Sequence, residues 1–439
     1  MPVSPQTEPL YLGLDLGTSG CRASVIDDQG QQHGFAIQPW PAELEQQAEQ
    51  DPHLWWQTVQ QLLHTLFTHI NPQQIKAIAV DGTSSTLLLT SPDGTPLTPA
   101  LMYHHNDNQT AAELIQQYAP KNSAAHGSNS SLAKLLTLQQ RCAGKPFLAC
   151  HQADWIAGQL CGRFGLSDEN NALKLGYDPI QRRWPAWLQQ LPLPTESLPK
   201  VQPVGHLIGT LSPLIEKQLG LSTSTKVISG TTDSIAAFIA SGAHRIGDAV
   251  TSLGSTTVLK IITPQPIFSP EHGVYSHRLG NLWLAGGASN SGAGVLKQFF
   301  NQQELISLSQ QIDLSKTSGL NYYPLPSKGE RFPLADPNLL PQLSPRPAEP
   351  AHFLQAILEG LSRIEADGYR LLERLGAPYP DQIYCAGGGC VNPAWQALRQ
   401  SELRRPLLQS QQNEAAYGSA KIAAGQLKYD NTENNHAQR

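Results

Sequence analysis

Two segments of this chain repeat one device. LDLGTSGCRASVI at 14–26 and TSLGSTTVLKII at 251–262 each carry an apolar strand into a turn of glycine and small hydroxyl residues, then out into a second apolar strand. Strand, tight turn and returning strand make a β-hairpin, so each segment opens a sheet. The glycines at 13, 17 and 20 miss the G-x-G-x-x-G spacing, and a strand follows where a helix would stand, which argues against a dinucleotide fingerprint. The chain has 439 residues, enough for two cores of roughly 200 residues each. One such hairpin at the head of each half predicts a duplicated α/β fold.

The remaining pattern fits that division. Leu54, Trp55, Val59, Leu62, Leu63 and Leu66 recur at helical spacing within 51–67, and 75–80 reads as a buried strand. A long helix is expected from about Ala351 to Leu375, stopped by Gly376. Strand 383–386 then runs into Gly387-Gly388-Gly389, and Asn392-Pro393 reads as a cap and first residue of another helix, to about Arg404. Pro/Gly-rich stretches at 192–213 and 324–350 read as surface connections or linkers. The break between halves is expected near residue 225, giving domains at 10–225 and 226–427 between polar tails, 1–9 and 428–439, that fray.

The turns can carry chemistry. A bend without bulky side chains lets backbone N–H groups converge on a phosphate, with Thr18 and Ser19 adding hydroxyl donors and Asp15 able to hold Mg2+ through water. The plain alternative is a hairpin turn whose glycine relieves a positive φ. Gly254, Ser255 and Thr256 form the second bend, and a triphosphate gripped from two walls needs donors on both. Gly230-Thr231-Thr232-Asp233-Ser234 enters a helix, where Asp233 either caps free N–H groups or orients a hydroxyl and takes its proton during phosphoryl transfer. Gly388 and Gly389 offer a flat shelf for a base or ribose, and Asn392 can bond its own helix or a ligand.

Charge and composition narrow the partners. A formal charge of −5 with no basic run argues against nucleic acid, and no apolar stretch reaches the roughly 18 residues of a membrane span. The six cysteines show neither a CxxC pair nor zinc-ligand spacing, so reduced thiols in a cytosolic protein are expected, with Cys385 and Cys390 as buried small residues. His104 and His105 lie in a polar loop where solvated rings are the ordinary outcome. Of the Trp55-Trp56 pair, one ring belongs to the apolar helix face and packs in the core.

Together GLDLGTSG at 13–20, SGTTDSIAAF at 229–238, SLGSTT at 252–257, GERFPLADP at 329–337, LEGL at 358–361, AGGGCVNPAW at 386–395 and EAAYGSA at 414–420 resemble the FGGY carbohydrate kinases. The resemblance implies two ribonuclease-H-like domains of the actin/hexokinase/Hsp70 type with an active-site cleft, and a monomer or homodimer using ATP and Mg2+ on a small sugar. It implies that Asp233 is the catalytic base and Asp15 the magnesium-associated carboxylate. Thr18 and Ser19 match the first phosphate loop, Gly254, Ser255 and Thr256 the second, and Gly388, Gly389 and Asn392 the adenosine site. The sugar is then expected near Asp15, Asp233, Asp81 to Ser85, with Ser84 among them, and the loop bearing Asp107.

The chain departs from better-known members in two places. Tyr103 to Gln109 keeps the Asp of a Trp-x-Asp-x-Arg segment but lacks its Arg, and Thr83-Ser84-Ser85-Thr86 stands where xylulokinase-like members carry Gln-Met-His. These features and the short length resemble the compact ribulokinase-like branch of cyanobacteria and plant plastids, which implies D-ribulose first, then D-xylulose and polyols such as glycerol. A sugar or nucleotide sensor on the same scaffold is a rival, as is an actin- or chaperone-like ATPase. The carboxylate pair Asp15 and Asp233 weighs against the sensor, and the lack of an additional protein-binding module weighs against the ATPase.

Overall fold

β1 (Leu10–Leu16) and β2 (Gly20–Ile26) pair antiparallel with Leu16 opposite Cys21, which closes the first bend as a hairpin. The computed structural model describes residues 8–44, 46–427 and 429, so the expectation of frayed tails falls largely outside the described residues. The chain divides into two compact units, 1–240 with 414–428 and 241–413 with 429–439.

In the first unit the main sheet also takes β3 (Gln32–Pro39), while β4 (Glu49–Gln50) lies outside it. Next come β5 (Ile75–Gly82), β6 (Leu87–Thr90), β7 (Ala100–Leu101) and β8 (Leu148–His151). β9 (Leu166–Asp168), β10 (Lys200–Gln202), β11 (Leu207–Thr210) and β12 (Lys226–Thr232) complete the set. The main sheet runs β11-β12-β5-β1-β2-β3, with β12, β5 and β1 parallel. β4-β7-β6-β8 form a smaller sheet. The helices are α1 (Pro52–Leu66), α2 (Gln109–Tyr118), α3 (Ser131–Leu138), α4 (Gln152–Cys161), α5 (Pro213–Leu219) and α6 (Asp233–Ala240). Alternation along β1 explains how it is covered on both faces. Leu12, Leu14 and Leu16 pack with Trp55 and Leu62 of α1 and Ile156 of α4. Gly13, pointing the other way, lies under a later helix.

The second unit repeats the arrangement. β13 (Asp248–Leu253) and β14 (Thr257–Thr263) flank the second bend, followed by β15 (Tyr275–Leu279), β16 (Leu282–Ser289), β17 (Gln382–Ala386) and β18 (Leu407–Gln409). Their order is β15-β16-β14-β13-β17-β18. β13 thus stands where β1 does, between an antiparallel hairpin partner and a parallel neighbour, and the duplication read from the two bends is present. α7 (Gln302–Ser309), α8 (Pro350–Arg374) and α9 (Pro393–Leu403) complete this unit. α8 ends as expected, with Gly376 at φ +109°.

Two expectations need correction. The break falls between Ala240 and Ser241, because β12 pairs with β5 and α6 follows it, so Asp233 belongs to the first unit and not to a domain starting at 226. Second, 415–423 forms α10 (Ala415–Ala423), which packs on β1, β2, β5 and α6 of the first unit. An added Cβ on Gly13 would lie 2.0 Å from the Ala416 carbonyl oxygen and 2.2 Å from Ala420 N, so only glycine permits that approach. The Pro/Gly-rich stretches, read as surface connections or linkers, do run largely over the surface but are anchored at points. Residues 207–210 join the main sheet, and 324–350 buries Phe332 and Glu330, whose carboxylate accepts from Ser289 Oγ (2.6 Å) and Asn290 N (2.7 Å). No helix among the described residues is long and apolar enough to cross a membrane.

Candidate active site

Parallel pairing in the first unit sets three carboxylates at the carboxyl ends of adjacent strands. Asp15 on β1 is the register partner of Asp81 on β5, Asp81 pairs in turn with Thr231 on β12, and Asp233 opens α6 directly after that strand. Strand ends of this kind are where α/β sheets collect ligand-binding groups. Asp15 and Asp81 are buried and Asp233 half-buried, with Ser234 N donating to Asp233 Oδ1 at 2.6 Å.

The electrostatics follow from that crowding. Burial lifts the Asp15 carboxyl to about 6; a hydrogen bond with Asp81 pulls back, the Asp233 charge adds to the rise and the Arg22 charge opposes it. Burial and the neighbouring Asp15 charge push Asp81 well above the usual carboxylate range, although Ser419 Oγ donates to its Oδ2 at 2.5 Å. Asp15 Oδ1 and Asp81 Oδ1 receive no donor from the described residues. Either a proton or a cation between the two carboxylates would relieve that crowding.

Arg22, which the sequence reading passed over, is the cation of this site. It sits directly opposite Asp15 in the hairpin and reaches Asp15 Oδ2 at 3.4 Å, Ser19 Oγ at 3.2 Å and Glu414 Oε2 at 3.2 Å. The hairpin pairing of Leu16 with Cys21 was signal enough to place residue 22 beside residue 15. Thr18 and Ser19 are exposed at the tip of the bend, which Trp40 fixes from behind through Nε1–H to the Gly17 carbonyl at 2.9 Å. Gly17 is not at positive φ, and an added Cβ would lie 2.9 Å from Arg22 Nη1, the far end of a flexible side chain that can move aside.

The two loops expected to meet the sugar are tied together. Tyr103 N donates to Thr86 Oγ1 at 3.0 Å, and the buried Lys134 amine donates to the carbonyls of Ser85 (2.8 Å) and Met102 (2.7 Å). Burial, helped by the Lys174 charge, pulls that amine down to about 7. Ser84 is half-buried on the first loop and Asp107 exposed on the second. His104 is exposed, while His105, half-buried, contacts Asn108 Nδ2 at 3.2 Å and is lowered by burial and by Lys134. Trp55 is wholly buried and donates to Gln50 Oε1 at 2.7 Å.

In the second unit a cavity of about 1090 Å³ gathers Gly254, Ser255, Gly388, Gly389 and Asn392 at its rim, with Leu296, Phe300, Leu305 and Ile312 among its apolar walls. That volume suits a nucleoside-sized ligand. Thr256 does not line it; its carbonyl instead closes the bend by accepting from Gly254 N at 3.1 Å. Asn392 is a cap, its Oδ1 accepting from Trp395 N at 3.1 Å, and its Nδ2 donates to Ser309 Oγ at 2.8 Å. One amide hydrogen and one lone pair are left for a ligand.

Among the described residues no group of three or more His, Cys, Asp or Glu is placed to enclose a metal. Mg2+ does not require such a cage, since it keeps several waters and takes one or two carboxylates plus phosphate oxygens. Asp15, a hard oxygen donor repelled by Asp233 and left with an orphaned buried oxygen, fits that requirement.

The N-terminal domain of the FGGY family of carbohydrate kinases matches residues 10–240 and its C-terminal domain residues 249–427. The xylulose kinase of Escherichia coli (strain K12) is 26% identical over 423 residues, covering 89% of this chain and 84% of that protein. That of Staphylococcus xylosus is 21% identical, covering 96% and 92%. Among solved structures, a kinase from Brucella ovis described as a xyloylose kinase superposes with a TM-score of 0.84 at 22% identity, covering 96% of this chain and 92% of that one. The glycerol kinase of Plasmodium falciparum with ADP gives 0.81 at 15%, covering 97% and 93%. These likenesses fix the two-unit α/β fold of the actin/hexokinase kind, and the two domain matches, spanning nearly the whole chain, make it a member of the FGGY family of carbohydrate kinases and an ATP-dependent carbohydrate kinase.

Proposed function

We propose that this kinase moves the γ-phosphoryl group of MgATP to a hydroxyl of a small ketopentose, D-ribulose first, with Asp233 as the base. The observation that carries the reading is the row Asp15, Asp81, Asp233 at the ends of three parallel strands. Only Asp233 of the three is accessible enough to meet an acceptor hydroxyl. Asp233 orients that hydroxyl and takes its proton as the oxygen attacks phosphorus in line. Asp15 holds Mg2+, which when bound neutralises charge on the phosphates. Thr18 and Ser19 of the first unit, and Gly254, Ser255 and Thr256 of the second, contribute phosphate donors; Gly388, Gly389 and Asn392 line the adenosine site.

Ser84 and Asp107 meet the sugar. Thr83 to Thr86 in place of Gln-Met-His, with the resemblance to the compact ribulokinase-like branch, supports ribulose over xylulose. D-xylulose is the second reading, favoured by the names of the Escherichia coli and Staphylococcus xylosus relatives.

ADP release by purified protein with MgATP, measured across D-ribulose, D-xylulose, ribitol, arabinitol and glycerol, decides between them. Saturable stimulation with the highest kcat/KM for ribulose is expected. A higher value for xylulose or glycerol reassigns the acceptor, and ADP binding without stimulation by any sugar or polyol makes the protein a sensor.

A further inference from the structure

Beneath the glycine run of the second unit lies a charged cluster that phosphoryl transfer does not use. Arg399 is wholly buried, and its Nε and Nη2 donate to the two Glu365 oxygens at 2.6 and 2.7 Å. Its Nη1 turns to Cys385 Sγ at 2.5 Å, and Gln396 Nε2 reaches the same sulfur at 3.3 Å. A neutral thiol is a weak acceptor, so a buried guanidinium N–H aimed at it favours the thiolate. The Cys390 thiol donates to the Ala386 carbonyl oxygen at 3.0 Å, beside Cys385, and the Gln396 Nε2 that reaches the Cys385 sulfur also donates to the Cys390 carbonyl at 2.8 Å. A hydrogen bond from Cys390 and the Arg399 charge accordingly hold Cys385 down at about 6, while Cys390 is driven up. Burial raises the other four, Cys21, Cys142, Cys150 and Cys161.

A thiolate with a protonated thiol beside it is the pairing that peroxide converts to a disulfide. The four residues between them are Ala386 to Gly389, of which Gly388 and Gly389 line the cavity. Both cysteines are buried, but Gly387 and Gly388 between them are exposed. Gly389 has no slack, since an added Cβ would lie 2.6 Å from the Trp395 ring and 2.7 Å from Leu253 Cβ, both cavity residues.

We propose that Cys385 and Cys390 are a peroxide-sensitive dithiol whose oxidation to an intramolecular disulfide shifts the glycine shelf and weakens nucleotide binding in the adjoining cavity. The Cys385 thiolate attacks hydrogen peroxide, taking one oxygen as sulfenic acid, and the departing hydroxide leaves as water after protonation. Cys390 sulfur then attacks the sulfenic sulfur, the S–S bond forms, and the Cys390 proton leaves with the displaced hydroxide as a second water. Two electrons pass from the sulfurs to peroxide. The disulfide brings the two sulfurs to about 2.05 Å. The contacts of Arg399 and of the Ala386 carbonyl with them are disrupted, and the shift is passed through Gly389 to Trp395 and Leu253.

The nucleotide half of this proposal rests on the cavity being the adenosine site; the dithiol half does not. The test treats the full chain with hydrogen peroxide, alkylates the remaining thiols, and reads peptide masses together with ADP affinity by calorimetry. Expected are a peptide spanning 385–390 that escapes alkylation and is about 2 Da lighter, and ADP binding about tenfold weaker, both restored by dithiothreitol. In Cys390→Ser, peroxide leaves a dimedone-reactive sulfenic acid on Cys385 and the disulfide does not form. Cys385 and Cys390 still alkylated while other cysteines oxidise overturns the dithiol. A disulfide that leaves ADP affinity unchanged overturns the control of binding. If reduced protein binds no ADP at all, the adenosine-site reading and the control of binding fall together, and the masses still decide the dithiol.

Discussion

Asp15 and Asp81 are direct partners across the parallel strands β1 and β5, and each keeps one buried carboxylate oxygen with no donor among the described residues. Two like groups forced together out of water destabilise the fold unless a proton or a cation lies between them. The folded-state value of Asp15, about 6, stands above the ordinary 3.8, so its stability is intact below about 4 and declines as pH rises towards 6. Asp15→Asn removes that penalty, on the order of 2–3 kcal/mol. The expected outcome is a Tm a few degrees above wild type at pH 7.5 without magnesium, a gap that closes near pH 4.5, and loss of Mg-dependent sugar phosphorylation. A lower Tm at pH 7.5 rules out the strained-carboxylate reading.

Asp233→Ala should leave ADP affinity within about twofold of wild type and lower sugar-stimulated ADP release by roughly 10²–10⁴. Calorimetry and a coupled assay read the two quantities separately. Wild-type rates in the variant would take the proton-accepting role away from Asp233.

Arg22 lowers Asp15, so Arg22→Gln lets Asp15 rise further. The acid limb of the kcat/KM profile for the sugar should move to higher pH, while the alkaline limb stays in place. An unmoved acid limb would separate that limb from Asp15.

Adjacent glycines in the shelf should behave oppositely. A Cβ on Gly388 meets nothing within 4 Å, whereas one on Gly389 meets Trp395 and Leu253. Gly388→Ala is expected to melt like wild type and raise the KM for ATP, because the methyl enters the cavity. Gly389→Ala should lose about 1–3 kcal/mol of stability, the usual penalty for overpacking. Equal melting temperatures for the two would contradict the packing described.

Local chemistry was legible in the sequence. The two bends announced two hairpins, Asn392-Pro393 announced a helix start, and 351–375 announced a helix that the structure bounds at 350–374. Contacts made by distant segments were not. Nothing near Asp81 reveals that Ser419 donates to it, and nothing near Gly13 reveals the backbone of 416 and 420 above it. The boundary was misjudged for the same reason, because the membership of β12 in the first sheet depends on its pairing with a strand some 150 residues earlier. Lys134 also carries no local signature, since its partners are backbone carbonyls on two other loops.

Gly13→Ala is the sharpest test of that long-range contact. The new methyl would overlap backbone atoms of α10, which cannot rotate aside as a side chain does. Protease susceptibility within 414–427 and loss of soluble yield are expected, and unchanged protection there would deny the close approach.

The return of α10 to the first unit also constrains how the chain is made. A ribosome finishes β12 and α6 well before it reaches residue 415, an interval of roughly 10–35 s at about 5–20 residues per second. Through that interval the nascent first unit has β1 and β5 without their last covering helix, and Asp81 without its Ser419 donor. The two units thus cannot mature one after the other as beads on a string: the earlier-made one is sealed only by a segment synthesised after most of the other.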